Sequence, residues 1–349
     1  MAKRQSMKEI AEAAGVSIAT VSRVINNKPD VGSETRERVL QELERHNYEY
    51  RSGSAGDGLQ LIGFVNNYRE YPASSDYVAN LLVGCQERSS NHAYNLVMVD
   101  SDAIQKEMRW PGRYGVIEQL AGVVWSMPVF EQPYAEFLQS RGIPYVVINN
   151  LKHGVTAPFV ESDNHTAIRQ AVEYLVGMGH SKIGFVGGAL DISNMEDRYK
   201  GYLQHMAEFG LDVDRDWVID DLTGVDEQHA IEGSYRLLGR RNLPTALITV
   251  SESVALGVYR VFKARHIRIP EDVSIVSFDD TRLSELMNPP VTTFRQHLHR
   301  MGGRAIDLLM DYVHPSATVD PGQHVCEPMT LIVRDSVAVI DQSPAGGDA

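Results

Sequence analysis

The chain has 349 residues, 43% of them hydrophobic, and carries a formal net charge of −13 at pH 7. That length sets an expectation of two to three units with substantial cores. No apolar run approaches about 18 residues, and the two cysteines, Cys85 and Cys326, lie far apart without a CxxC partner or clustered histidines, so no membrane span, disulfide framework, metal site or cofactor is expected.

The charge is spread unevenly. Residues 1–51 hold nine Lys/Arg and eight Asp/Glu, whereas the remainder holds 24 and 38. An acidic body repels polyanions, whereas the near-neutral head does not, and any contact the head makes with a polyanion weakens as salt rises. The N-terminus shows no apolar signal region, so a cytoplasmic location is expected.

Residues 7–26 read MKEIAEAAGVSIATVSRVIN. The pattern predicts two short helices joined by a tight turn at Gly15. Ser6 and Glu9 have capping-box spacing, and Ile10, Ala11 and Ala14 form an apolar face. Ser17 can cap the second helix, whose buried stripe is Val21, Val24 and Ile25. Its other face carries Ile18, Ala19, Ser22, Arg23 and Asn26, which are small, hydroxyl, amide and guanidinium groups rather than the Glu/Lys mixture of a solvated helix. A helix-turn-helix places such a face in the DNA major groove; the alternative is an ordinary helical hairpin. Ser33 is positioned to cap a third helix from Glu34 to near His46, with Val39, Leu40 and Leu43 inward.

Residues 51–60, RSGSAGDGLQ, lose apolar periodicity and read as a flexible linker. Beyond it, β-rich runs recur at 61–67, 95–100, 122–127, 144–150, 182–188, 245–251 and 273–280. Amphipathic helical stretches include 163–178, 196–209, 227–239 and 252–265. Near-continuous apolar strands alternating with helices mean parallel sheets covered on both faces, and the number of units calls for two α/β subdomains. Ligands of such sheets sit beyond the carboxyl ends of the strands. Those ends carry Asn66-Asn67, Asn149-Asn150, Ser251-Glu252 and Asp279-Asp280, a set suited to a polyhydroxylated or heterocyclic small molecule. Each residue alone is equally explained as a turn residue.

The head EIAEAAGVSIATVSRVIN, followed by VGSETRERVLQELERHNYEY, resembles that of the lactose-repressor (LacI/GalR) family of bacterial transcription regulators. SDNHTAIRQAVEYLVGMGHSKIGFVGG, RYKGY, ALITVSESVALGVYRVFKARHIRIPEDVSIVSFDDT, NPPVTTFRQ and LIVRDSV are similar to later signatures of that family. The resemblance covers residues 7–50 and most of 61–336. It implies an all-α three-helix head at 1–50, the linker at 51–60, and a body at 61–340 built of two periplasmic-binding-protein-like subdomains with three crossovers. Carried over, the first subdomain spans about 61–160 plus 292–322 and the second about 161–291 plus 323–340, with a tail at 341–349.

The resemblance further implies a homodimer on double-stranded operator DNA and a small effector in the interdomain cleft that alters operator affinity. Ile18 and Ala19 occupy the base-reading positions, and Arg23 matches the arginine of the family's recognition helix. Ser17, Thr20, Ser22 and Asn26 suit phosphate contacts that set register. In the cleft, Arg198 and Asp279 match the ligand-gripping arginine and aspartate, Asn149 and Gln296 stand at other lining positions, and Asn67, Tyr71 and Ser251 complete the expected effector set. A structural Arg198–Asp279 ion pair is the alternative for those two, and Tyr68, Tyr71 and Trp125 are equally ligand-stacking or core residues. A sugar is the favoured effector, with a nucleoside or sugar phosphate as alternatives.

Two departures stand out. Residues 51–58 are short, leucine-free and contain three glycines, which opposes the hinge helix whose leucine kinks DNA in many members of the family. Ser251-Glu252 replaces the common Asn-Asp, which puts the effector contact there in doubt. Two other classes compete with the regulator reading. A cleft enzyme lacks a GxSxG elbow, a GxxxxGK[ST] loop and an HExxH helix to support it, and the His297/His299 pair has no further metal ligands near it in sequence. A solute-binding protein fits the body but not the head.

Overall fold

The computed structural model describes residues 7–25, 31–45, 60–69, 71, 73–112, 115, 117–240, 242–315 and 320–340. It divides into two units, Met1–Gln60 and Leu61–Ala349.

The first unit contains α1 (Met7–Ala14), α2 (Ile18–Ile25) and α3 (Ser33–Arg45). Ile10, Ala11, Ala14, Val21, Val24, Val39 and Leu43 close into one core, with Val16 and Val31 packed against it. This is the spacing rule at work: residues three and four apart share a helix face, and three such faces bury one another. Gly15 turns the chain at φ +66°, a left-handed conformation that costs a residue with a Cβ. Ser17 caps α2, accepting from the Thr20 amide at 3.1 Å. Ser33, expected as the cap of the third helix, is instead the first residue of α3, a one-residue shift of the kind common at helix ends.

The second unit starts with β1 (Leu61–Asn66), α4 (Asp76–Asn91), β2 (Asn95–Asp100), α5 (Ser101–Arg109), β3 (Leu120–Trp125), α6 (Gln132–Ser140), β4 (Tyr145–Ile148) and β5 (Phe159–Ser162). There follow α7 (Asn164–Gly177), β6 (Ile183–Gly188), α8 (Ser193–Glu208), β7 (Val218–Leu222), α9 (Glu227–Leu238), β8 (Ala246–Thr249), α10 (Glu252–Ala264), β9 (Ser274–Asp279), α11 (Arg282–Leu286) and β10 (Thr292–Arg295). The last elements are α12 (Leu298–Val313), β11 (His324–Glu327) and β12 (Thr330–Ile332). Two six-stranded sheets result, ordered β11-β5-β4-β3-β1-β2 and β12-β10-β9-β8-β6-β7. All pairings are parallel except β10 with β12. The interior strands β4, β6 and β8 are buried at every residue, so both faces are covered and the apolar run is unbroken. The edge strand β2 breaks that pattern.

The chain passes between the sheets at 162–164, 295–298 and 327–330. Two expected boundaries move. Thr292–Arg295, assigned from sequence to the first subdomain, is a strand of the second sheet, pairing β9. His324–Glu327, assigned to the second, pairs β5 in the first. Both are short strands at crossovers, where four residues of pattern do not say which sheet they join. In the first sheet α4 and α12 cross at Gly84 and Gly302: a Cβ on Gly84 would lie 1.9 Å from the His299 carbonyl oxygen.

Candidate functional site

In the head, α2 buries Val21 and Val24 while Ile18 stays 47% exposed. Ser17 is exposed and Thr20 half-buried, their hydroxyls 2.9 Å apart. Ala19, Ser22 and Arg23 lie on α2, but their side chains fall outside the described residues, as does Asn26 entirely. No acidic residue occurs in α2, so nothing on this helix repels phosphate, and its N-terminus adds the partial positive charge of the helix dipole.

In the body, each sheet has the strand order that reverses between its first and third strands, the place where ligands of such sheets collect. The first sheet brings Asn66, Ser126 and Asn149 there, from the ends of β1, β3 and β4. Asn66 donates to the Tyr71 carbonyl at 2.6 Å. Asn149 Nδ2 donates to the Tyr77 hydroxyl at 2.6 Å and to Gln296 Oε1 at 3.3 Å. Asn66 Oδ1, Ser126 Oγ and Asn149 Oδ1 are buried without a hydrogen-bond partner among the described residues, as is Asn194 Oδ1 on α8. Buried polar atoms in a folded protein are nearly always satisfied, so the unmet oxygens at the ends of β1, β3 and β4, among others elsewhere in the body, can accept from a ligand's polar groups.

The second sheet contributes Arg198, Asp279 and Gln296. Arg198 is 1% exposed. Its Nε donates to Asn164 Oδ1 at 2.7 Å and its Nη1 to the Val250 carbonyl, and the guanidinium lies 4.3 Å from the Phe278 ring centre. Gln296 joins the two sheets: Nε2 donates to Asp279 Oδ1 at 2.6 Å, while Oε1 accepts from Asn149 and from Ser162 Oγ at 2.8 Å. Asn149, Asn150, Asp279 and Asp280 all have positive φ, at 52°, 37°, 101° and 57°. Non-glycine residues held this way are strained and cluster at functional sites. A cavity of about 380 Å³ opens beside Asp279 and Gln296; Asn80, Thr281, Arg295, His297 and Arg300 also line it, whereas Asn149 and Arg198 do not.

The electrostatics follow from burial. Desolvation lowers the Arg198 pKa and the Asp279 charge opposes this. Desolvation raises the Asp279 carboxyl, against the pull of Arg198 and the Gln296 hydrogen bond. The two therefore feel each other's charge, but each hydrogen-bonds elsewhere, so the simple ion-pair alternative does not describe them. Glu252, buried on α10, is pushed up to about 7 by desolvation and by Asp279. Desolvation also raises Tyr77, whose phenol feels Asp279, Arg198 and Tyr71.

Thus Asn149, Arg198, Asp279 and Gln296 converge, with Tyr71 near enough to influence Tyr77. The remaining expected residues have other visible work. Asn67 Oδ1 accepts from the Arg69 amide at 3.3 Å, shaping the turn after β1. Ser251 caps α10, accepting from Val254 at 3.2 Å and donating to the Val225 carbonyl at 3.3 Å. Trp125 is fully buried, its Nε1 bonded to the Pro128 carbonyl at 2.7 Å; it packs the core and offers no face to a ligand. His297 and His299 are held apart, on Thr330 at 3.0 Å and Glu87 at 2.9 Å. Sequence reasoning missed Tyr77, Ser162 and Asn164, which carry no local signal, and had named Glu252 only as half of the Ser251-Glu252 pair after β8.

Comparison with known proteins agrees with this geometry. Residues 6–49 match the model of bacterial regulatory proteins of the lacI family, and residues 172–337 that of a periplasmic binding protein-like domain. The chain is 30% identical over 317 residues to catabolite control protein A of Priestia megaterium, covering 89% of this chain and 93% of that one. It is 32% identical over 344 residues to an uncharacterized HTH-type transcriptional regulator in the aml 5′ region of Streptomyces limosus, covering 95% and 93%. Among solved structures it resembles a transcriptional regulator CelR–cellobiose complex, with a TM-score of 0.70 and 25% identity over 95% of this chain and 100% of that one. The chain belongs to the lacI family of bacterial regulatory proteins, as a DNA-binding transcriptional regulator whose body has the periplasmic-binding-protein fold.

Proposed function

We propose that this protein is a cytoplasmic, homodimeric repressor whose α2 enters the major groove of operator DNA and whose cleft binds a neutral sugar that changes operator affinity. In the head, Ile18 and Ala19 would meet base edges or a thymine methyl, Arg23 would take a guanine through its paired donors, and Ser17, Thr20, Ser22 and Asn26 would hold phosphates. Exposed Val83 on α4, Met98 on the edge strand β2 and Leu286 on α11 supply apolar surface for a second copy of the chain.

The observation that carries the effector reading is the convergence of Asn149, Arg198, Asp279 and Gln296, together with unpartnered oxygens of Asn66 and Ser126 at strand ends and of Asn194 on α8. These groups can both accept from and donate to hydroxyls. Asp279 feels the charge of the buried Arg198 on one side and of the Glu252 carboxyl on the other, a balance that disfavours a phosphorylated ligand, and the solved relative CelR carries cellobiose. We read the body as a sensor, with Arg198 and Asp279 gripping hydroxyls rather than activating a bond.

A thermal-shift panel of neutral sugars, sugar phosphates and nucleosides tests this. A neutral sugar at 100 times its dissociation constant should add about 2.7 kcal/mol of stability. Stabilisation by phosphorylated ligands alone, or by none of the panel, would overturn the sugar assignment. Selection from a random duplex library should enrich a pseudo-palindrome with half-sites about one turn apart, near 34 Å; enrichment of no sequence would overturn the DNA-reading assignment.

A further inference from the structure

The segment from Asp279 to Ser284 is held from both subdomains at once. On its own side, the buried Glu252 carboxylate accepts from the Thr281 amide at 3.0 Å, from the Thr281 hydroxyl, and from Ser284 Oγ at 2.9 Å. From the opposite subdomain, Asp76 Oδ2, on the first residue of α4, accepts the Arg282 amide at 3.1 Å. Asp280 is gripped by Arg295 at 2.6 Å and Arg334 at 2.7 Å. Asp279 and Asp280 carry φ of 101° and 57°. A strained turn persists only where its surroundings over-determine it, and here the surroundings include both walls of the cleft.

We propose that Glu252 and Asp76 are positioning residues of the cleft, and that the Asp279–Ser284 loop they share couples the ligand-facing Asp279 to the opposite subdomain. The proposal rests on reading the cleft as an effector site. Asp279 faces the cleft, Thr281 caps α11 and accepts the Leu283 amide at 3.3 Å, and α11 ends on Leu286, 70% exposed. A shift of Asp279 is therefore passed through three residues to the Asp76 contact and through seven to an apolar surface residue. The other rim of the cleft is tied mainly by backbone bonds from His153 to Asp191 at 2.8 Å and from Ser193 to Leu151 at 2.9 Å, with exposed ion pairs of His153 to Glu196 and Lys152 to Asp191 beside them. Those backbone bonds need no particular side chain, whereas the Asp76 contact to the Arg282 amide depends on a carboxylate.

Amide hydrogen exchange on the full-length protein, with no added ligand, tests the proposal. Asp76→Ala should accelerate exchange at Arg282 about tenfold, the effect of losing one charge-assisted hydrogen bond. Asp76→Asn, which keeps an acceptor oxygen, should restore most of the protection. Glu252→Ala should accelerate Thr281 and Arg282 together, and Glu252→Gln should give a smaller effect should the alanine variant fold poorly. Because both residues hold one loop, the double variant should accelerate Arg282 by less than the product of the single effects. An Arg282 amide indifferent to Asp76→Ala, or single effects that multiply in the double variant, would overturn the proposal. The sugar panel above judges the effector reading separately, since these rates involve no ligand.

Discussion

Glu252→Gln should make the body more stable relative to the parent as pH rises. In the folded chain the Glu252 carboxyl is raised from 4.5 to about 7, first by desolvation and then by the charge of Asp279, with hydrogen bonds from Thr281 and Ser284 opposing. In the unfolded chain it titrates near 4.5. Below that pH both states hold the proton and the group contributes nothing. Between 4.5 and 7 the native state keeps a proton the unfolded state has released, so stability falls as pH rises, and above 7 the full penalty is present. At 1.36 kcal/mol per pKa unit the penalty reaches about 3 kcal/mol at pH 8. Glutamine cannot ionise. Its carbonyl still accepts the Thr281 amide, and its NH2 donates to hydroxyls that rotate to receive it, at a pH-independent offset of about 1 kcal/mol. Whatever that offset, the stability difference between variant and parent should grow with pH from 5 to 8 and level off. Urea denaturation followed by tryptophan fluorescence reads it, because Trp110, Trp125 and Trp217 all lie in the second unit. Parallel pH profiles for the two proteins would refute the placement of an ionising Glu252 beside Asp279.

Other outcomes are open to direct measurement. Arg23→Ala should weaken specific operator binding by about 1–3 kcal/mol of base discrimination at each half-site, while sugar affinity stays within experimental error; gel-shift and calorimetric titrations check the two halves. Gly84→Ala puts a Cβ 1.9 Å from the His299 carbonyl and should cost about 1–3 kcal/mol through overpacking of α4 on α12, read as a lower urea midpoint. A circularly permuted bending assay on bound operator should find no strong kink at the dyad, because residues 51–58 offer no leucine wedge and three glycines oppose a hinge helix.

Much of this protein could be read before folding was considered. The 3.6-residue spacing of Ile10, Ala14, Val21 and Val24 defines the core of the head. The unbroken apolar runs of β4, β6 and β8 define buried parallel strands, and Asn149 and Asp279 at strand ends pointed to the cleft. These are properties of local period and composition, which a chain carries whatever its partners are. What sequence could not supply is pairing between distant residues. β10 and β11 fall on the other side of the expected boundaries because each precedes its crossover, and four residues of apolar pattern do not mark where the chain leaves a sheet. Trp125 packs inside although an aromatic near a cleft is equally fit for stacking. Gln296 bonds residues 17, 134 and 147 positions away, and Asp76 meets Arg282 across 206. Hydrogen bonds and desolvation act over a few ångströms of space, not along the chain. The three-helix reader and the α/β class were therefore set by sequence alone, whereas the wiring between the two walls of the cleft was decided only by the fold.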